Sequence, residues 1–340
     1  MRHAIDIDRL ADWLNVNLDR FSGRPAVRQF AGGQSNPTYL LEAGDERYVL
    51  RRKPPGALLP SAHAVDREYR VMRALAGSGV PVPHVHLLCN DPSVIGTAFY
   101  LMEFVEGRTF WDPTLPGLVP AARTAIYDEL NGVMATLHGV DCTAAGLADF
   151  GRPGSYLERQ IERWTTQYRA SETERIDAME QLIAWLPQHV PTADETALVH
   201  GDYRIDNMIF HPTEPRILAV LDWELSTLGH PLADFAHHCM SWRVTPEEFR
   251  GLKGHDLVAL GVPVESAYVA AYCKRTGRDA LPDWDYYVTF NMFRMAAILQ
   301  GILARAVRGS AASAEALVTG RLARPVAEAG WRQVVQQRLD

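Results

Sequence analysis

One internal stretch, residues 198–224 (LVHGDYRIDNMIFHPTEPRILAVLDWE), constrains the fold more than any other part of the chain. A short apolar run over 197–200 leads into a polar loop, and the runs 208–210 and 217–221 then flank the turn HPTEPR, the pattern of strand, loop and hairpin. The surrounding sequence has another texture. Apolar residues recur at helical spacing over 121–138, 156–169, 171–186, 265–276 and 285–308. A β insertion inside a helical half must therefore carry something that helices cannot place.

The first hundred residues alternate differently. A helix is expected over 6–19, where Ile7, Leu10, Ala11, Leu14 and Leu18 share one face. Strands follow over 26–30, 38–42 and 47–52, the last two joined by the turn AGDE. A charged helix over 62–76 stops at Gly77, Gly79, Pro81 and Pro83, and strands over 85–88 and 98–105 complete a five-stranded antiparallel sheet. The texture changes after Glu106 and Gly107. The expected class is α+β with two lobes, a sheet-bearing N-terminal lobe at 1–105 and a mainly helical C-terminal lobe at 106–340, with a crevice between lobes as the ligand site.

Composition removes several alternatives. With 47% hydrophobic and 22% charged residues, the 340-residue chain has ordinary globular composition and no low-complexity tract. A formal charge of -7 gives no basic surface for nucleic acid, and none is expected as a partner. Cys89, Cys142, Cys239 and Cys273 lie far apart with no CxxC, which suits buried thiols in a reducing compartment. The start MRHAIDIDRL lacks the basic-then-apolar order of a signal peptide, and no later stretch reaches the ~18 apolar residues of a membrane span, so neither membrane nor export is expected and the location read is cytoplasmic.

The chemistry lies in the polar loop. His200, Gly201, Asp202 and Asn207 form HGDxxxxN, and Asp222 ends the strand that leaves the hairpin. Phosphoryl transfer needs a carboxylate to accept the proton of an attacking hydroxyl, and oxygen ligands to hold Mg²⁺ against nucleotide phosphates. Asp202, Asn207 and Asp222 are residues of those types in that order. Four fixed positions recur by chance about twice per thousand chains of this length, and the flanking strands and the later aspartate lower that further.

On these residues the sequence resembles the aminoglycoside phosphotransferase (APH) family, small-molecule kinases with a protein-kinase-like fold, across most of the chain. The resemblance implies that Asp202 is the catalytic base, that Asn207 and Asp222 are metal ligands, that His200 is structural, and that Asp234 in GHPLADFAHH braces the loop. It also implies ATP or GTP and Mg²⁺ as cofactors and a small hydroxylated molecule as partner. In the first lobe AGGQSNPTYLLE stands where a kinase covers the phosphates, with Gly32, Gly33, Ser35 and Asn36 as the contacts. Strand alternation puts Arg51, where the family commonly has lysine, on the face that meets phosphate; Lys53 is the alternative, and Glu68 the helix partner. YLMEFV reads as the hinge, with Met102 lining the base pocket and the backbone of Glu103 and Phe104 meeting the adenine edge.

The segments YYVTFNMFRMAAILQGILAR, GGQSNPTYLLE and YVLRRKPPG resemble a narrower branch, the kinase-like domain fused to some acyl-CoA dehydrogenases. That resemblance implies a hydroxyacyl-CoA acceptor. Two observations agree with an anion. From His230 onward there are 13 basic and 11 acidic residues in a chain that is acidic overall, and Arg294, Arg305 and Arg308 fall near one face of the helix 285–308. The same stripe also reads as a solvated face. An aminoglycoside or macrolide phosphotransferase is the alternative within the class, and a catalytically silent nucleotide-binding module is the alternative outside it. The pairs His84/His86 and His237/His238 have no third ligand at zinc-like spacing, and no serine or cysteine is set up as a hydrolytic nucleophile.

Overall fold

Period-two alternation over Glu46–Arg52 puts Tyr48 and Leu50 on one side of a strand and Val49 and Arg51 on the other, and the first compact unit is built on that division. The computed structural model describes residues 5–19, 21–30, 36–54, 64–309 and 315–337. Strands β1 (Ala26–Gln29), β2 (Thr38–Ala43), β3 (Glu46–Arg52), β4 (Val85–Cys89) and β5 (Phe99–Glu103) form an antiparallel sheet in the order β1-β2-β3-β5-β4.

One face of this sheet buries Tyr39, Leu41, Tyr48, Leu50 and Leu101 against Leu10 and Leu14 of the helix Ile7–Asn17. Asp6 caps that helix by accepting from the Arg9 N–H at 3.1 Å. The other face meets the helix Val65–Leu75, whose Glu68, Val71, Met72 and Leu75 are buried. Arg52, on the core side, is buried and donates from Nε to the Thr97 hydroxyl at 3.0 Å.

The expected lobe boundary is shifted and interrupted. The first unit comprises 1–108, 145–147 and 207–226; the second comprises 109–144, 148–206 and 227–340. The hairpin Met208–Phe210/Ile217–Val220 joins the first unit because Arg108 forms a bridge to Phe210, with both N–H···O contacts at 2.8 Å. Gly107 makes that bridge possible, since a Cβ there would sit 2.3 Å from the Phe210 carbonyl oxygen.

The second unit is helical, as expected, and is organised around Trp284–Val307. This helix is long and apolar enough to cross a membrane, which corrects the sequence expectation, but 83% of its most apolar window is buried inside the protein. Tyr156–Ser171 and Asp177–Trp185 are two helices, as expected, but the second starts at 177 and not at 171, because the polar run after Ser171 has no apolar face to bury. The helices Pro231–Cys239, Ala316–Arg321 and Ala323–Gln337 were not anticipated. Cys89, Cys239 and Cys273 are buried free thiols; Cys142 is only half-buried.

Candidate active site

In the first unit, charged side chains gather beneath β3. Arg51 lies with Nε 2.9 Å from Glu68 Oε2 and a terminal nitrogen 2.6 Å from Asp222 Oδ1, and Glu224 is 3.6 Å away. Arg51 is thus the residue the helix glutamate meets; Lys53 instead reaches Asp66 at the surface, 3.5 Å away. Burial works against the Arg51 charge, but Glu68 and Asp222 outweigh it and hold the guanidinium protonated. Glu68 is itself saturated: Tyr100 donates to Oε2 at 3.0 Å and the Asn36 amide to Oε1 at 2.7 Å. Burial pushes its carboxyl up, and Arg51, Tyr100 and Asn36 oppose that.

Asn36 was expected among the phosphate contacts. The structure turns its side chain inward, fully buried, to fix Glu68. Gly32, Gly33 and Ser35 lie outside the described residues. Met102 is buried in β5. The Glu103 N–H donates to the His84 carbonyl at 2.9 Å and the Phe104 N–H points to Arg47 O at 3.4 Å, so both donors of this segment have partners within the unit.

Asn207 and Asp222 are neighbours at one end of the hairpin. Met208 faces Val220 in the ladder, and the Leu221 N–H donates to Asn207 O at 2.8 Å. Asp222 is held at φ 65°, ψ 55°, a left-handed conformation that aspartate tolerates better than most side chains and that turns its carboxylate away from the strand line. An amide oxygen and a carboxylate are donors for a hard cation; with only two protein ligands, phosphate and water oxygens would complete the set, as Mg²⁺ prefers. Asp222 already draws a cation here, the Arg51 guanidinium, so the residues present fit a divalent ion.

The second unit carries the HGD loop. The Asp234 carboxylate accepts from the His200 N–H at 2.7 Å and the Gly201 N–H at 2.8 Å, and lies 3.2 Å from His138 Nε2. Burial opposes its charge, but the His138 hydrogen bond and the nearby His138 and His200 outweigh that and hold the carboxyl at about 2. Gly201 sits at φ 81°, which explains a glycine between His200 and Asp202. His200 is buried and accepts the Asp202 N–H at Nδ1, 3.1 Å, the structural position expected of it.

Asp202 Oδ1 lies 3.0 Å from His237 Nε2 and 3.1 Å from Arg204 Nε. Burial would raise its pKa, but Arg204 and the His237 hydrogen bond outweigh burial, and the carboxylate stays ionised far below the usual range. Burial also keeps the His237 imidazole neutral, so Nε2–H donates and the carboxylate accepts. His237 and Tyr100 are the functional neighbours that sequence reading missed. The signal for His237 was available: it follows Asp234 by three residues, so both fall on one face of the helix Pro231–Cys239.

The expected arginine stripe divides. Arg294 is buried, donates to the Gly201 carbonyl and lies 5.6 Å from the centre of the Trp164 ring, so it supports the loop. Arg305 and Arg308, three turns on, are exposed where the helix leaves the core. Equal angular position does not give equal depth along a tilted core helix.

A helical unit carrying an aspartate loop and a sheet unit carrying a paired basic residue define a protein-kinase-like phosphotransferase. Residues 26–284 match the model of the phosphotransferase enzyme family (APH), and the chain belongs to that family, whose activity is phosphoryl transfer to an alcohol group. It is 49% identical to mouse acyl-CoA dehydrogenase family member 10 over 96% of its length and 44% identical to rat family member 11 over 97%. It spans only 31% and 43% of those two proteins. A crystal structure from Ralstonia eutropha JMP134, described as a candidate aminoglycoside phosphotransferase, shares 56% identity and superposes with a TM-score of 0.89, covering 98% of this chain and 99% of that one. A Cryptosporidium parvum choline kinase, at 14% identity and TM-score 0.63 over 98% and 97% of the two chains, shares the fold.

Proposed function

We propose that this protein transfers the γ-phosphoryl group of ATP, with Mg²⁺, to the hydroxyl of an anionic acceptor of the hydroxyacyl-CoA class. Asp202 carries the proposal. An ionised carboxylate held by an imidazole and a guanidinium is a fixed acceptor for the hydroxyl proton, and it takes that proton as the oxygen gives up charge to phosphorus. Asn207 and Asp222 would hold the metal, which supplies charge neutralisation on the phosphate oxygens. Arg51, already oriented by Glu68, offers its fork to phosphate. Asp234 and Arg294 act on the loop backbone and keep Asp202 in place.

The acceptor class rests on the relatives named as acyl-CoA dehydrogenase family members and on local charge. Around the cavity beside the loop, Arg204 and Arg250 both reach the single carboxylate Asp206, at 3.3 and 3.0 Å. Arg204 also meets Asp202 at 3.1 Å, so the two guanidiniums are balanced by two carboxylates and the wall has no surplus of negative charge to draw a polycation. The similarity to the Ralstonia protein favours the aminoglycoside reading instead, so the test puts both in one assay. Mg²⁺-dependent ATP consumption is measured with hydroxyacyl-CoAs and with aminoglycosides. Turnover confined to the thioesters is expected; turnover of aminoglycosides with none of the thioesters overturns the reading. Retention of Asp202, Asn207 and Asp222 argues against a silent module, and ATP binding without turnover of any alcohol would establish one.

A further inference from the structure

Within the second unit, the helix Tyr156–Ser171 carries Tyr156, Arg159 and Arg163 at i, i+3 and i+7, so the three share one side of it. Arg163 lies 5.2 Å from the centre of the Trp164 ring, and Arg294, from the helix Trp284–Val307, lies 5.6 Å from the same centre. Arg159 donates to the Gly154 carbonyl and, at 2.6 Å, to the Arg152 carbonyl, and Arg294 donates to the Gly201 carbonyl. Among the described residues, none of these three arginines forms an ion pair with a carboxylate, and neither Arg163 nor the Tyr156 hydroxyl has a hydrogen-bond partner. Arg294 is buried with its Nε unpaired, whereas Arg163 is exposed and leaves the group open to solvent.

The charges here are lopsided. Burial and the Arg294 charge both work against the Arg163 charge, and only Tyr156 opposes them. Burial pushes the Tyr156 hydroxyl up, Arg294 pulls it down, Asp234 pushes it up, and Arg163 and Arg159 pull it down. The one carboxylate in that set, Asp234, is already committed to the N–H groups of His200 and Gly201 and to His138. Guanidiniums and a hydroxyl donor gathered without a counter-ion fit a group with several acceptor oxygens and more than one negative charge, which describes a phosphate better than a carboxylate.

We infer that this cluster seats a phosphate group of the acceptor, remote from the hydroxyl that reacts: Arg163 and Tyr156 supply the donors, and Arg294 and Arg159 the charge behind them. This rests on the reading above that the acceptor is a CoA thioester, whose phosphates stand a long flexible arm from the acyl hydroxyl. The Arg294 guanidinium that backs the cluster also holds the Gly201 carbonyl, one residue from Asp202, so a phosphate seated here tethers the acceptor beside the base. Binding energy gained at such a distance from the reacting atoms is expressed in kcat/KM.

The test compares hydroxyacyl thioesters with one acyl chain carried on pantetheine, phosphopantetheine and CoA. Arg294 is left unchanged, because it holds the loop. In wild type, kcat/KM for the phosphate-bearing thioesters is expected to exceed that for the pantetheine thioester by about tenfold to a hundredfold. Arg163→Gln cuts that preference about tenfold and changes the pantetheine thioester by less than about twofold. Arg163→Lys, which keeps the charge, holds the preference within about threefold of wild type, and Tyr156→Phe lowers it about threefold. An Arg163→Gln variant that slows all three thioesters alike, or none, overturns the inference even where phosphorylation is robust. So does a rise in the KM for ATP with the thioester preference intact, which puts the nucleotide's phosphate there instead. If no thioester is turned over, the functional reading falls, and the site is decided separately by calorimetry with inorganic pyrophosphate in the absence of metal. Binding that Arg163→Gln weakens about tenfold and Arg163→Lys keeps supports it. Equal affinity in wild type and Arg163→Gln, or no binding at all, overturns it.

Discussion

The charged cluster of the first unit and the aspartate loop of the second are held by different means. Beneath β3, Arg51 is fixed by other charges, Glu68 at 2.9 Å and Asp222 at 2.6 Å, and each contact is a cation against a carboxylate. Around Asp202 the loop is held mainly through its backbone: Asp234 takes the N–H groups of His200 and Gly201, Arg294 donates to the Gly201 carbonyl, and a neutral His237 shares the carboxylate with the Arg204 guanidinium. Ion pairs can exchange one partner for another of the same sign, whereas a carboxylate clasping two N–H groups has nothing to exchange for. On the proposed reading, the difference separates a group that would pick up phosphate and metal from a loop that would stay still.

Breaking the loop should have the largest effect. Asp202→Ala is expected to lower kcat by about a thousandfold, within the range for loss of a positioned base, and steady-state turnover checks it. Wild-type-like turnover would refute the assignment of the base.

Breaking the charged cluster should cost stability first. Arg51→Ala leaves Glu68 buried without its cation, and a loss of about 3–5 kcal/mol is expected in urea unfolding. Arg51→Lys keeps the charge but not the fork; the KM for ATP should rise about tenfold while the fold holds. Equal KM values in Arg51→Lys and wild type would show that the fork is not used.

Acid sharpens the contrast at the loop. The Asp234 carboxyl is held at about 2 against an ordinary value of 3.8, so the folded form binds its proton less readily than the unfolded chain. Its contribution, about 2–3 kcal/mol, is fully present above pH 4 and is lost as the pH falls from 4 towards 2. Urea titrations across that window should show the loss in wild type and a shallower dependence in Asp234→Asn. The smallest effect belongs to Lys53→Ala. Its pair with Asp66 is exposed and 3.5 Å long, so stability should change by less than about 0.5 kcal/mol and the KM for ATP by less than about twofold. A tenfold rise there would move the phosphate contact from Arg51 to Lys53.

Much of this was legible in the sequence, for identifiable reasons. Strand alternation put Arg51 opposite Arg52 without any structure, and the observed partners, Glu68 for one and Thr97 for the other, follow that alternation. The hairpin 208–221 was visible because β-branched runs flank a Pro-rich turn. Depth was not legible. Arg294 and Arg305 share a helical angle, but one is buried under the loop and the other is in water, because periodicity reports direction and says nothing of distance from the core. Asn36 looked like a loop residue and is buried against Glu68, since a long-range partner leaves no local signal. His237 was set aside with His238 as an unlikely metal pair, although its three-residue spacing from Asp234 marked the face that meets the loop.

The division of labour between the two groups is open to direct titration of Mg²⁺-ATP into wild type, Asp202→Ala and Asp222→Ala by calorimetry. Asp202→Ala should bind within about threefold of wild type, and Asp222→Ala about a hundredfold more weakly. If Asp202→Ala loses the nucleotide as severely as Asp222→Ala, the carboxylate assigned to the acceptor is holding the nucleotide instead, and the account fails.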